Sequence, residues 1–190
     1  MHAARGPRPL DGYAAQQRGF SLIEALTVVT ILAVLASVAI PNLTAMVKNS
    51  KLRGVATDLF GDMLTARSEA VKRNCEVDVT PDATAGWAGG WTVSSVACTA
   101  PGATASVAAT QVAAHPALAS DIKVGVLVNG AAGTASTVKY NSSGRISSGI
   151  QTVVFYESTS GTWARCLAVD TSGVPRISVD SKGVPANGCN

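Results

Sequence analysis

A chain of 190 residues with 47% apolar side chains has material for one membrane segment and one modest core, and too little for two large independent cores. Its formal net charge of +3, most of it from Arg5, Arg8 and Arg18 against Asp11, excludes a general electrostatic footprint for nucleic acid, so any such contact needs a local patch. Only 5% of residues are aromatic, and the second half is crowded with Ala, Gly, Ser, Thr and Val, a composition that favours short strands joined by polar turns over a helical bundle.

The basic stretch ends in "RGFSLIEAL", and from Phe20 to Pro41 the only charged residue is Glu24. About 20 apolar residues at ~1.5 Å each match the ~30 Å hydrocarbon layer, so residues 20–41 are expected to form a transmembrane helix. The arginines ahead of it would stay on the cytoplasmic side. An ordinary secretory signal fits poorly, because the apolar run passes straight into a helical pattern without a polar cleavage region. Glu24 raises the chemical question: a carboxylate costs about 2.5–3.5 kcal/mol at mid-bilayer on insertion scales and persists where it has a partner. Its plainer role is that of an acid suited to the positive end of a helix dipole.

Over residues 42–74, Leu43, Met46, Val47, Leu52, Val55, Leu59, Met63, Ala66 and Ala70 keep helical spacing among Lys48, Lys51, Asp58, Asp62 and Lys72, an amphipathic continuation of the helix. Glu69 and Arg73 stand four apart in the favourable order. Pro41, Gly54 and Gly61 are expected to bend or locally melt the helix.

After Asn74 the pattern alternates, and turn clusters such as "PDATAGWAGG", "NGAAG", "NSSG" and "DTSG" recur, which predicts an antiparallel sheet. Strands are expected over residues 76–80, 91–97, 122–128, 137–141, 152–156, 163–169 and 176–179, covered by the apolar face of the helix in an α+β head spanning 75–190. Residues 99–120, rich in Ala and Thr, read as a variable, partly disordered loop, and His115 within it as an exposed loop residue. Trp87, Trp91 and Trp163 read as core packing.

Four cysteines, Cys75, Cys98, Cys166 and Cys189, lack zinc-site spacing and are read as two disulfides. Cys75 and Cys98 are symmetric about a turn near Gly86, so a hairpin would bring them opposite each other and leave Cys166 for Cys189. Three connectivities are formally possible. The chain has no phosphate loop, no H-E-x-x-H and no G-x-S-x-G, so it is read as a non-enzyme with no metal and no cofactor.

"RGFSLIEAL" resembles the processing site of type IV prepilins. The resemblance implies that a prepilin peptidase cuts between Gly19 and Phe20 and methylates the new amino terminus, removing residues 1–19 as a leader. Glu24 would then be the fifth mature residue and would pair with the amino terminus of a neighbouring subunit during assembly. "ARSEAVKRN", "GGW", "KYNSSGRI" and "RCLAVDTSGVPRI" are similar to segments of the GspH/FimT family of minor pilins and pseudopilins. That likeness implies a type IV pilin-like fold in a single-pass protein of the bacterial inner membrane, with its head in the periplasm and later in a pilus at the cell surface. The implied partners are other minor and major pilins, the prepilin peptidase, the inner-membrane assembly platform and membrane lipid. The implied role is a minor pilin that primes pilus assembly near the tip, with a minor pseudopilin of a type II secretion machine as the alternative. DNA capture for transformation is a further possibility of the family, carried there by a G-R-x-R element. Here the stretch is "GVPR", with Val174 in place of the first arginine, leaving Arg176 and, farther on, Lys182 to meet phosphates.

Overall fold

Ser21 starts the long helix of this chain: its Oγ accepts the backbone N–H of Glu24 at 3.2 Å, the N-cap half of a capping box. The computed structural model describes residues 19–99, 106–158, 162–180 and 189, without the side chains of Val38, Pro41 and Asn42. Helix α1 (Leu22–Arg73) begins in one compact unit, Met1–Ile40, and ends in a second, Pro41–Asn190. Its helical backbone is unbroken at Pro41, Gly54 and Gly61, where melting is expected from sequence. Ser and Thr hydroxyls return to carbonyls one turn back, as Thr30 does to Leu26 at 2.7 Å. Asn74 ends the helix in the left-handed region at φ 54, and the Cys75 N–H reaches back to the Ala70 carbonyl at 3.2 Å, closing the last turn.

Among the described residues no helix is long and apolar enough to cross a membrane.

In the second unit the helix buries a stripe of Leu52, Ala56, Leu59, Met63, Ala66 and Ala70, spaced alternately by four and three residues so that all share one face. Each large side chain fully buried in this way contributes about 1.5–3 kcal/mol. The stripe begins later than the sequence suggests, because Leu43, Met46 and Val47 are exposed. Two antiparallel sheets pack on it, where a single sheet was expected. The first has the order β3-β2-β1-β6-β7, from β1 (Val77–Asp82), β2 (Gly86–Ser95), β3 (Thr110–His115), β6 (Val138–Tyr140) and β7 (Ile146–Ser148). The second has the order β10-β9-β8-β4-β5, from β4 (Lys123–Val128), β5 (Ala131–Ala132), β8 (Thr152–Tyr156), β9 (Ala164–Ala168) and β10 (Arg176–Asp180). One core joins the helix stripe to Trp87, Trp91 and Val93 of the first sheet and to Val153, Phe155 and Leu167 of the second.

Three differences from the sequence reading have local causes. The β1–β2 turn closes early, at Asp82–Gly86, because Asp82 Oδ1 accepts the N–H groups of Thr84 at 3.0 Å and Ala85 at 2.8 Å, an Asx turn. "GWAGG" is therefore strand. Secondly, β3 falls inside the stretch read as a loop: Thr110 and Val112 are too few to give a clear strand signal beside Ala113 and Ala114, yet the segment pairs with the outer edge of β2. Gly90, at φ 93, is the residue that admits this neighbour, since a Cβ there would collide with the His115 carbonyl oxygen. Finally, β5 and β7 are two and three residues long, too short for an alternating pattern to register.

Candidate functional site

The amino-terminal candidates lie together at the start of α1. Gly19 and Phe20 precede the first turn, and Phe20 is 83% exposed. A Cβ placed on Gly19 would meet nothing within 4 Å, so packing within the chain does not account for the glycine. Glu24 occupies the third helical position, where its N–H is capped by Ser21 and its charge suits the helix dipole. Among the described residues no hydrogen bond or ion pair of the Glu24 carboxylate occurs within the chain. Around it Leu22, Ile23, Leu26, Val28, Val29, Ile31 and Leu32 are all largely exposed, a contiguous apolar surface of the kind that marks a membrane or protein contact. The Ser21 cap was not singled out from sequence, although Ser-x-x-Glu ahead of an apolar run is its signature.

The head's candidates lie elsewhere. Disulfides join Cys75 to Cys98 and Cys166 to Cys189; the first closes the β1–β2 hairpin at its open end, where Val77 faces Ser95. Arg176 is exposed at the start of the edge strand β10, and Lys182 lies outside the described residues. Near Arg176, Asp170 is held below the usual carboxylate range, chiefly by the Ser172 hydroxyl and N–H and to a smaller extent by Arg176 itself. An acid at this point reduces the positive potential available to a phosphate.

His115 is a strand residue rather than an exposed loop residue. It stacks on Trp91 with ring centroids 4.0 Å apart and planes at 11°, its Nε2 is 3.5 Å from Asp58, and Trp91 Nε1 donates to Asp62 at 2.8 Å. Trp87 and Trp91 are core residues. Trp163 is not: it is half exposed, and its backbone N–H donates to Asn49 Oδ1 of the helix at 2.8 Å. A groove that sequence reading missed brings Arg53 of the helix beside Arg165 of β9, a pair too distant in the chain for any motif to reveal.

Residues 55–173 match the family model described as type II transport protein GspH. The chain belongs to the GspH family. Residues 15–40 of this GspH-family chain also match the prokaryotic N-terminal methylation motif, which takes in Gly19, Phe20 and Glu24. Its fold is similar to that of the type IV minor pilin FimU of Pseudomonas aeruginosa strain PAO1 in a P21 crystal, with a TM-score of 0.52 and 17% identity over 75% of this chain and 98% of that one. The same pilin in a P65 crystal gives a TM-score of 0.49 and 17% identity over 71% and 98%. At such identity the likeness establishes the pilin fold, a helix followed by antiparallel sheets. No curated protein sequence matches. Pilins and pseudopilins of the GspH family are structural rather than enzymatic proteins.

Proposed function

We propose that this chain is a minor pilin, cut between Gly19 and Phe20, anchored in the inner membrane by residues 20–41 with its head in the periplasm, and then built into a type IV pilus whose assembly it helps to prime near the tip. The observation that carries the reading is Glu24: one carboxylate, without a partner among the described residues, on an otherwise uncharged apolar helix surface that is exposed to its surroundings. In a bilayer or a dry fibre core a lone carboxylate is strongly disfavoured, and removing one member of such a pair is costly because the other charge is stranded. Cleavage after Gly19 creates the missing partner, an amine on Phe20. A neighbouring subunit's amine reaching Glu24 would fix the stagger between adjacent helices. The match to the methylation motif over residues 15–40 supports processing at this point, and the absence of any packing need for glycine at 19 fits a requirement imposed by a peptidase.

The test is Glu24→Ala in the full chain. Processing at Phe20 should be unchanged, while the amount of the protein recovered in sheared fibres should fall at least tenfold. Unchanged incorporation would remove the pairing from the account.

A second reading, a minor pseudopilin of a type II secretion machine, is favoured by the description of the matched family model. The two share the same chemistry at Glu24 and part at the level of the cell. Deletion should abolish surface pili and twitching on the first reading, and protein secretion on the second.

A further inference from the structure

Within the head, a groove of about 410 Å³ is lined by Arg53, Ala56, Thr57, Arg165, Ile177 and Val179. It lies where the edge of the second sheet meets α1: Val179 is the strand partner of Arg165, and Ile177 that of Leu167, so these side chains share the face turned to the helix. Ile177 and Val179 are 40% and 45% exposed. Two guanidinium groups face this space with no acid in its lining. Among the described residues neither arginine forms an ion pair, and the buried Arg165 Nε has no hydrogen-bond partner. Burial, and then the neighbouring charge of Arg53, pull the Arg165 guanidinium below its usual basicity. Like charges held together without a counter-ion are a standing cost, and a buried donor without an acceptor is another.

We propose that this groove is a docking slot for a carboxylate carried on an apolar segment of a different protein subunit beside it, with Arg53 and Arg165 clamping the acid and Ile177 and Val179 receiving its apolar flank. A planar guanidinium binds carboxylate through paired hydrogen bonds, and a second guanidinium completes the neutralisation. The inference rests on the reading of the chain as a fibre subunit.

The sequence that follows β10 offers the two arginines no counter-charge. Residues 181–188 carry Lys182 and no acid, and Cys189 fixes the tail to Cys166, which packs with Val154, Ala164 and Leu127 on the opposite face of the sheet from Arg165. A second copy of the head is a weaker candidate, because five of its described carboxylates are already engaged. Asp62 accepts from Trp91, Glu69 from Arg73 and Asp121 from Lys51, while Lys139 holds both Glu76 and Asp78. Nucleic acid is recognised by rows of exposed cations along its phosphates, and a slot walled by Ile177, Val179 and Ala56 is the wrong chemistry for it.

The test places the photo-crosslinking amino acid p-benzoylphenylalanine at position 179 of the full chain, in cells that make the fibre. The product should be a crosslink to another pilin-type subunit, mapped within a few residues of an Asp or Glu. Arg53→Glu, on the exposed helix face, should reduce it roughly tenfold, as loss of a paired charge does, and changing the mapped acid to Arg should restore it. Arg165→Gln should reduce it as well, with thermal unfolding followed to verify that the head remains folded. A crosslink to residues 181–188, to a second copy or to DNA, a product insensitive to Arg53→Glu, or no product would each overturn the proposal. The mature amino terminus and the presence of the chain in sheared fibres are read in the same cells. If both hold and the crosslink is missing, this inference fails alone; if either is absent, the fibre-subunit reading fails and this inference falls with it.

Discussion

Leu26 and Leu59 lie on the same helix and have the same side chain, yet Leu26 is 55% exposed and Leu59 is wholly buried. Around Leu59 the chain supplies its own cover: two sheets, a tryptophan pair and a disulfide at the open end of the hairpin. Around Leu26 the described residues supply none, and apolar residues continue on the neighbouring positions. The head therefore covers the buried face of its stretch of helix within one molecule, whereas the front of the helix leaves its apolar surface exposed, and its single carboxylate has no partner among the described residues.

That contrast can be broken most severely at its start. Gly19→Leu should block cleavage completely, leaving the precursor uncut in immunoblots and absent from fibres, while the head still folds. The next largest effect belongs to the core. Leu59→Ala should cost about 2–5 kcal/mol of head stability through the cavity it opens, whereas Leu26→Ala should stay within about 0.5 kcal/mol in thermal or denaturant unfolding of the full chain in detergent. Equal losses at the two positions would erase the distinction drawn between them. Removing the hairpin disulfide with Cys75→Ser and Cys98→Ser frees a loop of 23-residue separation and should cost about 3 kcal/mol by loop-closure entropy, read as a lowered unfolding midpoint.

The smallest effect is electrostatic. Hydrogen bonds from Arg73 and then Lys72 hold the Glu69 carboxyl below its usual 4.5. A carboxyl with a depressed folded-state pKa adds stability above its unfolded value and loses it as pH falls through the folded one. Wild type should therefore shed this contribution only below about pH 4.5. Glu69→Gln should be slightly less stable than wild type at neutral pH and indistinguishable from it in strong acid, a convergence that pH-dependent unfolding curves would reveal. A constant offset at all pH values would assign the effect to packing instead.

Much of this organisation is legible in the sequence, for reasons that are local. The helix announces itself through Leu52, Leu59, Met63, Ala66 and Ala70 at helical spacing, and its end through Asn74, where the pattern changes. The hairpin symmetry that sets Cys75 opposite Cys98 survives because β1 and β2 pair almost without interruption. What escaped depends on contacts between distant parts of the chain. Strand β3 has only Thr110 and Val112 as strand formers, followed by Ala113 and Ala114 that carry little strand propensity, and forms because the edge of β2 is there to be paired. His115 looked like a loop residue because nothing local reveals the tryptophan on which it stacks. The apolar residues at 43, 46 and 47 continue the helical pattern but not the buried stripe, since periodicity reports which face is apolar and not what covers it. The Arg53–Arg165 groove combines a helix and a strand far apart in sequence, and no spacing rule connects them.

The central claim is that the exposed front of the helix is finished by processing and assembly. Its most direct test is the mass of the amino-terminal peptide of the chain recovered from sheared fibres. The account predicts a peptide that begins at Phe20 and carries one added methyl group on its amine. A peptide beginning at any other residue, or a chain found only free in the periplasm, would contradict it.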